Sequence, residues 1–181
     1  VKILAGSLRG RPFEQPKTRA VRPLSDKVRA AIFDVVGAPE GLTVLDAYAG
    51  SGAAGFEAAS RGAALVEAIE ANGRVAKTIL QNAQALGLEW GYILHQMTVE
   101  TWLASPQQQA SQGRYQLIVA DPPYAQLDVD TLGRLGQFLT PGGIMVVSHT
   151  SKLPEPVLVG LEVVRHKVYG DTAVSYYRPR N

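Results

Sequence analysis

Hydrophobic residues recur along this chain with two periods, and their alternation predicts the fold. From Ser25 or Asp26, either able to cap a helix, Val28, Ala31, Ile32 and Val35 follow the i, i+3, i+4, i+7 spacing of an amphipathic helix. Beyond it, short apolar β-type runs alternate with helical stretches. Strands are predicted at 42–47, 65–70, 92–96, 116–120 and 144–148, with helices at 53–60, 72–86, 98–104 and 129–138. The end of the chain breaks the alternation, because 162–169 and 173–178 flank a Gly170-Asp171 turn as the arms of a β-hairpin do. Ahead of the first helix, 2–5 reads as a short strand and 9–13 can pair back on it. The expected class is α/β: a mostly parallel Rossmann-like sheet finished by an antiparallel hairpin, with a small N-terminal hairpin and helix extension.

Composition narrows the class further. A chain of 181 residues with 46% hydrophobic content can bury the core of one α/β domain. The expected division is an extension over 1–36 and a catalytic domain over 37–181. There are no cysteines, which removes disulfide scaffolds and thiolate metal sites. His95, His149 and His166 lack ligand spacing and read as structural, so no metal is expected. No signal peptide or long apolar run is evident, and a cytoplasmic protein away from membranes is expected. Charge is uneven: residues 1–29 hold eight basic and two acidic side chains, while the whole chain carries only +2. Arg9, Arg11, Arg22, Lys27 and Arg29 are therefore candidate contacts to a polyphosphate such as RNA. A solvated basic tail is the plainer alternative, against which stand the apolar Ile3, Leu4 and Phe13.

Two motifs carry chemistry. In Val44-Leu45-Asp46-Ala47-Tyr48-Ala49-Gly50-Ser51-Gly52 a strand enters a glycine turn that opens a helix, where backbone can approach a ligand closely. The next strand ends in Glu70, 24 positions after Asp46, placed to accept ribose hydroxyls. Gly50, Gly52 and Gly55 also match the G-x-G-x-x-G spacing of nicotinamide enzymes, a weak signal alone. The second motif, Asp121-Pro122-Pro123-Tyr124, closes an apolar strand. Two prolines stiffen that loop, so the Asp121 carboxylate and the Pro122 carbonyl can hold the two hydrogens of an amino group while Tyr124 stacks on its ring. Asp46 would oppose a pyrophosphate but suits a cation. Together these features favour S-adenosylmethionine, with Asp46, Tyr48, Gly50, Ser51, Gly52 and Glu70 around it, over a dinucleotide.

Those residues, with others, carry a resemblance that runs almost end to end. Ile3-Leu4-Ala5-Gly6 with Arg9-Gly10-Arg11, Arg22-Pro23 with Asp26-Lys27-Val28-Arg29, Ser60-Arg61-Gly62-Ala63 and Tyr169-Gly170-Asp171-Thr172-Ala173 resemble the RsmD family of bacterial methyltransferases. Leu24 and Ala30 depart from its pattern, which has Thr and commonly an acid there. The resemblance implies an S-adenosylmethionine-dependent methyltransferase fold and methylation of a guanine N2 amino group in 16S ribosomal RNA, on a 30S subunit or its precursor. It also implies Met97 and Thr98 beside the adenine, and a monomer. Adenine N6, cytosine N4 or protein glutamine remain alternative acceptors, and a binding-only RNA factor or a nicotinamide oxidoreductase remains a remote one.

Overall fold

The computed structural model describes residues 1–18, 24–106, 113–123 and 127–180. The expectations for Arg22 and Tyr124 lie outside these residues. Among them the chain forms α1 (Asp26–Val36), β1 (Thr43–Asp46), α2 (Ala53–Ser60), β2 (Leu65–Ile69), α3 (Gly73–Leu86), β3 (Tyr92–His95), α4 (Val99–Ala104), β4 (Tyr115–Ala120), α5 (Val129–Gly136), β5 (Leu139–Thr150), β6 (Leu161–Tyr169) and β7 (Thr172–Pro179). The strands make one sheet in the order β3-β2-β1-β4-β5-β7-β6. The first five are parallel, and β7 enters antiparallel between β5 and β6. No helix among the described residues is long and apolar enough to cross a membrane.

Local chemistry sets the helix ends. The Ser25 hydroxyl accepts the Val28 N–H, Asn72 accepts those of Arg74 and Val75, Thr98 that of Thr101, and Asp128 those of Asp130 and Thr131. Apolar stripes then cover both faces of the sheet. On one face α1, α2 and α3 bury Ile32, Phe33, Phe56, Val75 and Ile79 against Val44, Val119 and Val146. On the other, α4 and α5 bury Trp102, Leu132 and Leu135 against Leu45, Ile118 and Val147. Alternation along each strand divides its residues between the two cores.

The fifth strand begins earlier than its sequence suggests. Tyr115 of β4 pairs with Leu139, whereas Leu117 pairs with Ile144, so β5 spends extra residues over Thr140-Pro141-Gly142-Gly143. Proline and glycine there read as a strand boundary, but the chain resumes its register beyond them.

The N-terminal extension is fastened to α2. Lys2 bridges Pro12, and the Phe13 N–H reaches the Val1 carbonyl at 3.0 Å, closing a small hairpin. The Leu4 and Ala5 N–H groups donate to the Glu57 carboxylate at 2.9 and 3.0 Å. The Ser60 hydroxyl donates to the Ala5 carbonyl and accepts the Leu8 N–H, while its carbonyl accepts the Ser7 N–H at 2.7 Å. Backbone passes so near that a Cβ on Gly6 would lie 1.9 Å from the Ser60 carbonyl oxygen. Asn82 of α3 both accepts the Glu14 N–H and donates to the Glu14 carbonyl. Ile3 and Phe13 belong to the same core as Val44 and Phe56.

Candidate active site

Three carboxylates gather at the carboxyl ends of β1, β2 and β4, where ligands bind in open parallel sheets. Asp46 ends β1 on the face covered by α2 and is buried. Its Oδ2 accepts the Gly55 N–H at 2.9 Å, inside the first turn of α2. Burial, aided by the charges of Asp121 and Glu70 and opposed by the Gly55 hydrogen bond, pushes its carboxyl up to about 7. Glu70 follows β2: one oxygen accepts the Gly50 N–H at 2.9 Å and the other the Asn72 N–H at 2.7 Å. It thus ties the glycine turn to the start of α3. Asp121 follows β4, half-buried, and accepts a hydrogen bond from the Ser148 hydroxyl of β5.

The glycine turn is shaped for close approach. Gly52 takes φ +78°, a left-handed conformation that favours glycine, and stands at the N-cap of α2. Ser51 is buried beside it. A Cβ on Gly55 would come within 3.2 Å of the Asp46 carboxylate and 3.0 Å of the Tyr92 hydroxyl. Because Asp46 already occupies a helix N-terminal amide, the turn is poorly suited to a pyrophosphate, which would need that amide and would meet a carboxylate. A cationic group, by contrast, would find three acids.

The other candidate residues fall as follows. Tyr48 and Met97 are half-buried, and each packs against the core on the α4 side of the sheet. Burial, with Glu100 and Asp128 nearby, pushes the Tyr48 hydroxyl well above its ordinary value. Thr98 is the exposed cap of α4. Pro122 is buried and Pro123 exposed. A cleft of about 850 Å³ opens next to Glu70, between residues 14–18 of the extension and the first turns of α3, with Lys17 and Arg74 in its walls. A second pocket of about 280 Å³, lined by Val36, Leu42, Leu117 and Ile144, lies at the opposite end of the sheet and holds none of the candidate residues. Among the described residues no group of His, Cys, Asp or Glu is arranged to hold a metal ion.

The basic extension divides in two. Arg9 and Lys27 are exposed, and Arg11 is exposed with its guanidinium donating to the Ala85 carbonyl at 2.7 Å. Arg29 corrects the expectation of an RNA contact, for it is fully buried. Its guanidinium donates to the Lys2 carbonyl and to Asp26, and its Nε lies 3.5 Å from Glu57. Arg61 joins the same group, bonded to Glu57 at 2.8 Å and stacked on Phe33. Residue type alone misassigned Arg29. Its position was informative, since it lies on the apolar stripe with Ile32 and Phe33, while Glu57 interrupts a nearly all-apolar helix. Ser148, a polar residue ending the apolar run of β5, was missed.

Known proteins share this architecture. The family described as Conserved hypothetical protein 95 matches residues 1–178. The Bacillus subtilis (strain 168) protein YlbH, named as a candidate rRNA methyltransferase, is 29% identical over 185 residues, 99% of this chain and 100% of that one. Ribosomal RNA small subunit methyltransferase D of Haemophilus influenzae is 32% identical over 127 residues, covering 68% of this chain and 64% of its own. The solved structure of Escherichia coli yhhF, described as a candidate methyltransferase, superposes with a TM-score of 0.86 at 26% identity, over 99% of this chain and 98% of that one. The sheet is that of S-adenosylmethionine-dependent methyltransferases, a mostly parallel sheet ending in an antiparallel pair, as expected.

Proposed function

The chain belongs to the Conserved hypothetical protein 95 family, the RsmD family, and on that premise we propose that it methylates the N2 amino group of a guanine in small-subunit ribosomal RNA, using S-adenosylmethionine. The observation that carries this reading is the convergence of Asp46, Glu70 and Asp121 at one edge of the sheet, with Pro122-Pro123 leaving β4 beside them. These donors and acceptors fit the cofactor. A carboxyl pushed up by burial, and in smaller part by neighbouring acids, is relieved by a nearby positive charge, and the cofactor carries both a sulfonium and an ammonium.

In this reading Asp46, Tyr48, Gly50, Ser51 and Gly52 surround the methionine part, Glu70 holds the ribose, and Met97 and Thr98 border the adenine. The cofactor supplies an electrophilic methyl group. The guanine leaves its stack at a cost of a few kcal/mol, least where the RNA is already unpaired, and Tyr124 stacks on it. The exocyclic nitrogen is a poor nucleophile because its lone pair is shared with the ring. Asp121 and the Pro122 carbonyl accept its two hydrogens and fix its direction, so catalysis is mainly positioning and stabilisation of the charge developing on nitrogen. Arg9, Arg11 and Lys27, with Arg22, grip phosphates around the target, on a 30S particle or its precursor.

The test is direct. The protein is incubated with methyl-labelled S-adenosylmethionine and, separately, ribosomal RNA, 30S particles and DNA, and the products are digested to nucleosides. N2-methylguanosine from the ribosomal substrates is the expected product. Label in adenine, cytosine or protein moves the acceptor; absence of label from every substrate overturns the reading.

A further inference from the structure

A buried hydroxyl on β5 touches Asp121, the acid that holds the amine in the proposed function. Ser148 is 2% exposed. Its strand neighbours on that face are apolar: Val146 two residues before it and Val174 across the pair with β7. A hydroxyl in such surroundings is costly unless it finds a partner. The partner is Asp121, whose Oδ1 accepts the Ser148 hydrogen. Sheet register brings the two together. The β4–β5 ladder pairs Val119 with Val146 and Ala120 with Val147, so one further step sets Asp121 opposite Ser148, with both side chains on the face covered by α2.

We infer that Ser148 is a positioning residue for methyl transfer: anchored in β5, it fixes the plane of the Asp121 carboxylate so that its acceptor direction towards the incoming amine is set before the substrate arrives. The inference rests on the proposed function. Asp121 itself is the first residue past β4, on a half-buried loop that lacks the N–H groups of Pro122 and Pro123. Neither proline can donate a backbone hydrogen bond to the carboxylate. A charge-assisted bond from a strand residue can hold it, because the strand is fixed by ladders on both sides, β4 and β7.

The experiment measures single-turnover methyl transfer to ribosomal RNA or 30S particles, together with S-adenosylmethionine affinity and thermal midpoint. Ser148→Ala is expected to slow transfer about 10- to 100-fold, the scale of one hydrogen bond to a charged group, while cofactor affinity, RNA KM and thermal midpoint stay close to wild type. Ser148→Thr keeps the hydroxyl on a strand-compatible side chain and should restore most of the rate. Ser148→Cys, similar in volume but a weaker donor, should fall between Ala and wild type. Combined with Asp121→Ala, which removes the acceptor, Ser148→Ala should add nothing to the loss, because its effect passes through the Asp121 carboxylate. Independent losses that multiply in the double variant, or full rate in Ser148→Ala, overturn the assignment alone. A wild-type protein that methylates no RNA removes the proposed function and this assignment together.

Discussion

Replacing Glu57 with glutamine tests how the extension is joined to the catalytic sheet. Glu57 is fully buried in α2 and collects four donors: the Leu4 and Ala5 amides, the Arg61 Nε at 2.8 Å and, by charge, the Arg29 Nε at 3.5 Å. Glutamine preserves the volume but exchanges one acceptor oxygen for an NH2 group, which must then face a donor. It also removes the anion beside a fully buried guanidinium. Two nitrogens of that guanidinium, Nε and Nη1, have no hydrogen-bond acceptor among the described residues. Breaking a buried ion pair from one side costs about 3–5 kcal/mol, and in a chain of this length each kcal/mol moves the thermal midpoint by about 2–4 °C. Glu57→Gln should therefore lower the midpoint by about 6–20 °C. Circular dichroism measures it, and hydrogen exchange shows whether the Leu4 and Ala5 amides lose protection. The exposed Glu14, changed to glutamine, serves as the surface control and should shift stability by no more than about 0.5 kcal/mol. A midpoint within about 3 °C of wild type, with both amides still protected, would refute this account of the joint.

Four further outcomes follow from the site and the extension. Asp46 titrates near 7 in the folded chain and near 3.8 when free, so between these values the folded state holds the extra proton and stability falls as pH rises; Asp46→Asn should remove that slope in thermal unfolding. A cationic cofactor beside Asp46 would release its proton, so affinity should rise up to about tenfold per pH unit below 7 and then level off; calorimetry in buffers of different ionisation enthalpy counts the proton, and a count of zero at pH 6 counts against it. Glu70→Ala should weaken S-adenosylmethionine binding about 10- to 100-fold and also loosen the Gly50 turn, which calorimetry and amide exchange at Gly50 and Asn72 can separate. Arg9→Ala with Lys27→Ala should flatten the plot of log RNA affinity against log salt by about 0.7–0.9 per lost contact, with cofactor affinity unchanged; an unaltered slope places the phosphate contacts elsewhere.

Most of the fold was legible because both periods are strong. Val28 and Ile32 of the α1 stripe, the Ser25 cap and the Gly170-Asp171 turn each had a local cause that the packed molecule preserves, while Ala31 and Val35 of the same stripe are only half-buried. Asp46 and Glu70 were legible because strand ends in a parallel sheet converge on one edge. What escaped depended on partners distant in sequence. The early start of β5 is dictated by pairing with Tyr115, across Pro141 and two glycines that locally argue for a break. Arg29 looks like any cation until Glu57, 28 residues later, comes beneath it. Ser148 gains meaning only from a ladder that aligns it with Asp121.

The hairpin's grip on α2 is made by main-chain atoms: the amides of Leu4, Ala5, Ser7 and Leu8 and the carbonyl of Ala5 meet Glu57 and Ser60. Main-chain atoms are common to every amino acid, so this socket is indifferent to most of the sequence plugged into it. Gly6, under the Ser60 carbonyl, is barred from carrying a side chain, and Gly10, at φ +81°, favours glycine by its backbone alone. The outward positions, such as Arg9 and Arg11, can drift without unseating the hairpin. A body joined this way can exchange the exposed side chains of its first dozen residues, Ile3 and the two glycines apart, while the sheet behind the joint stays as it is.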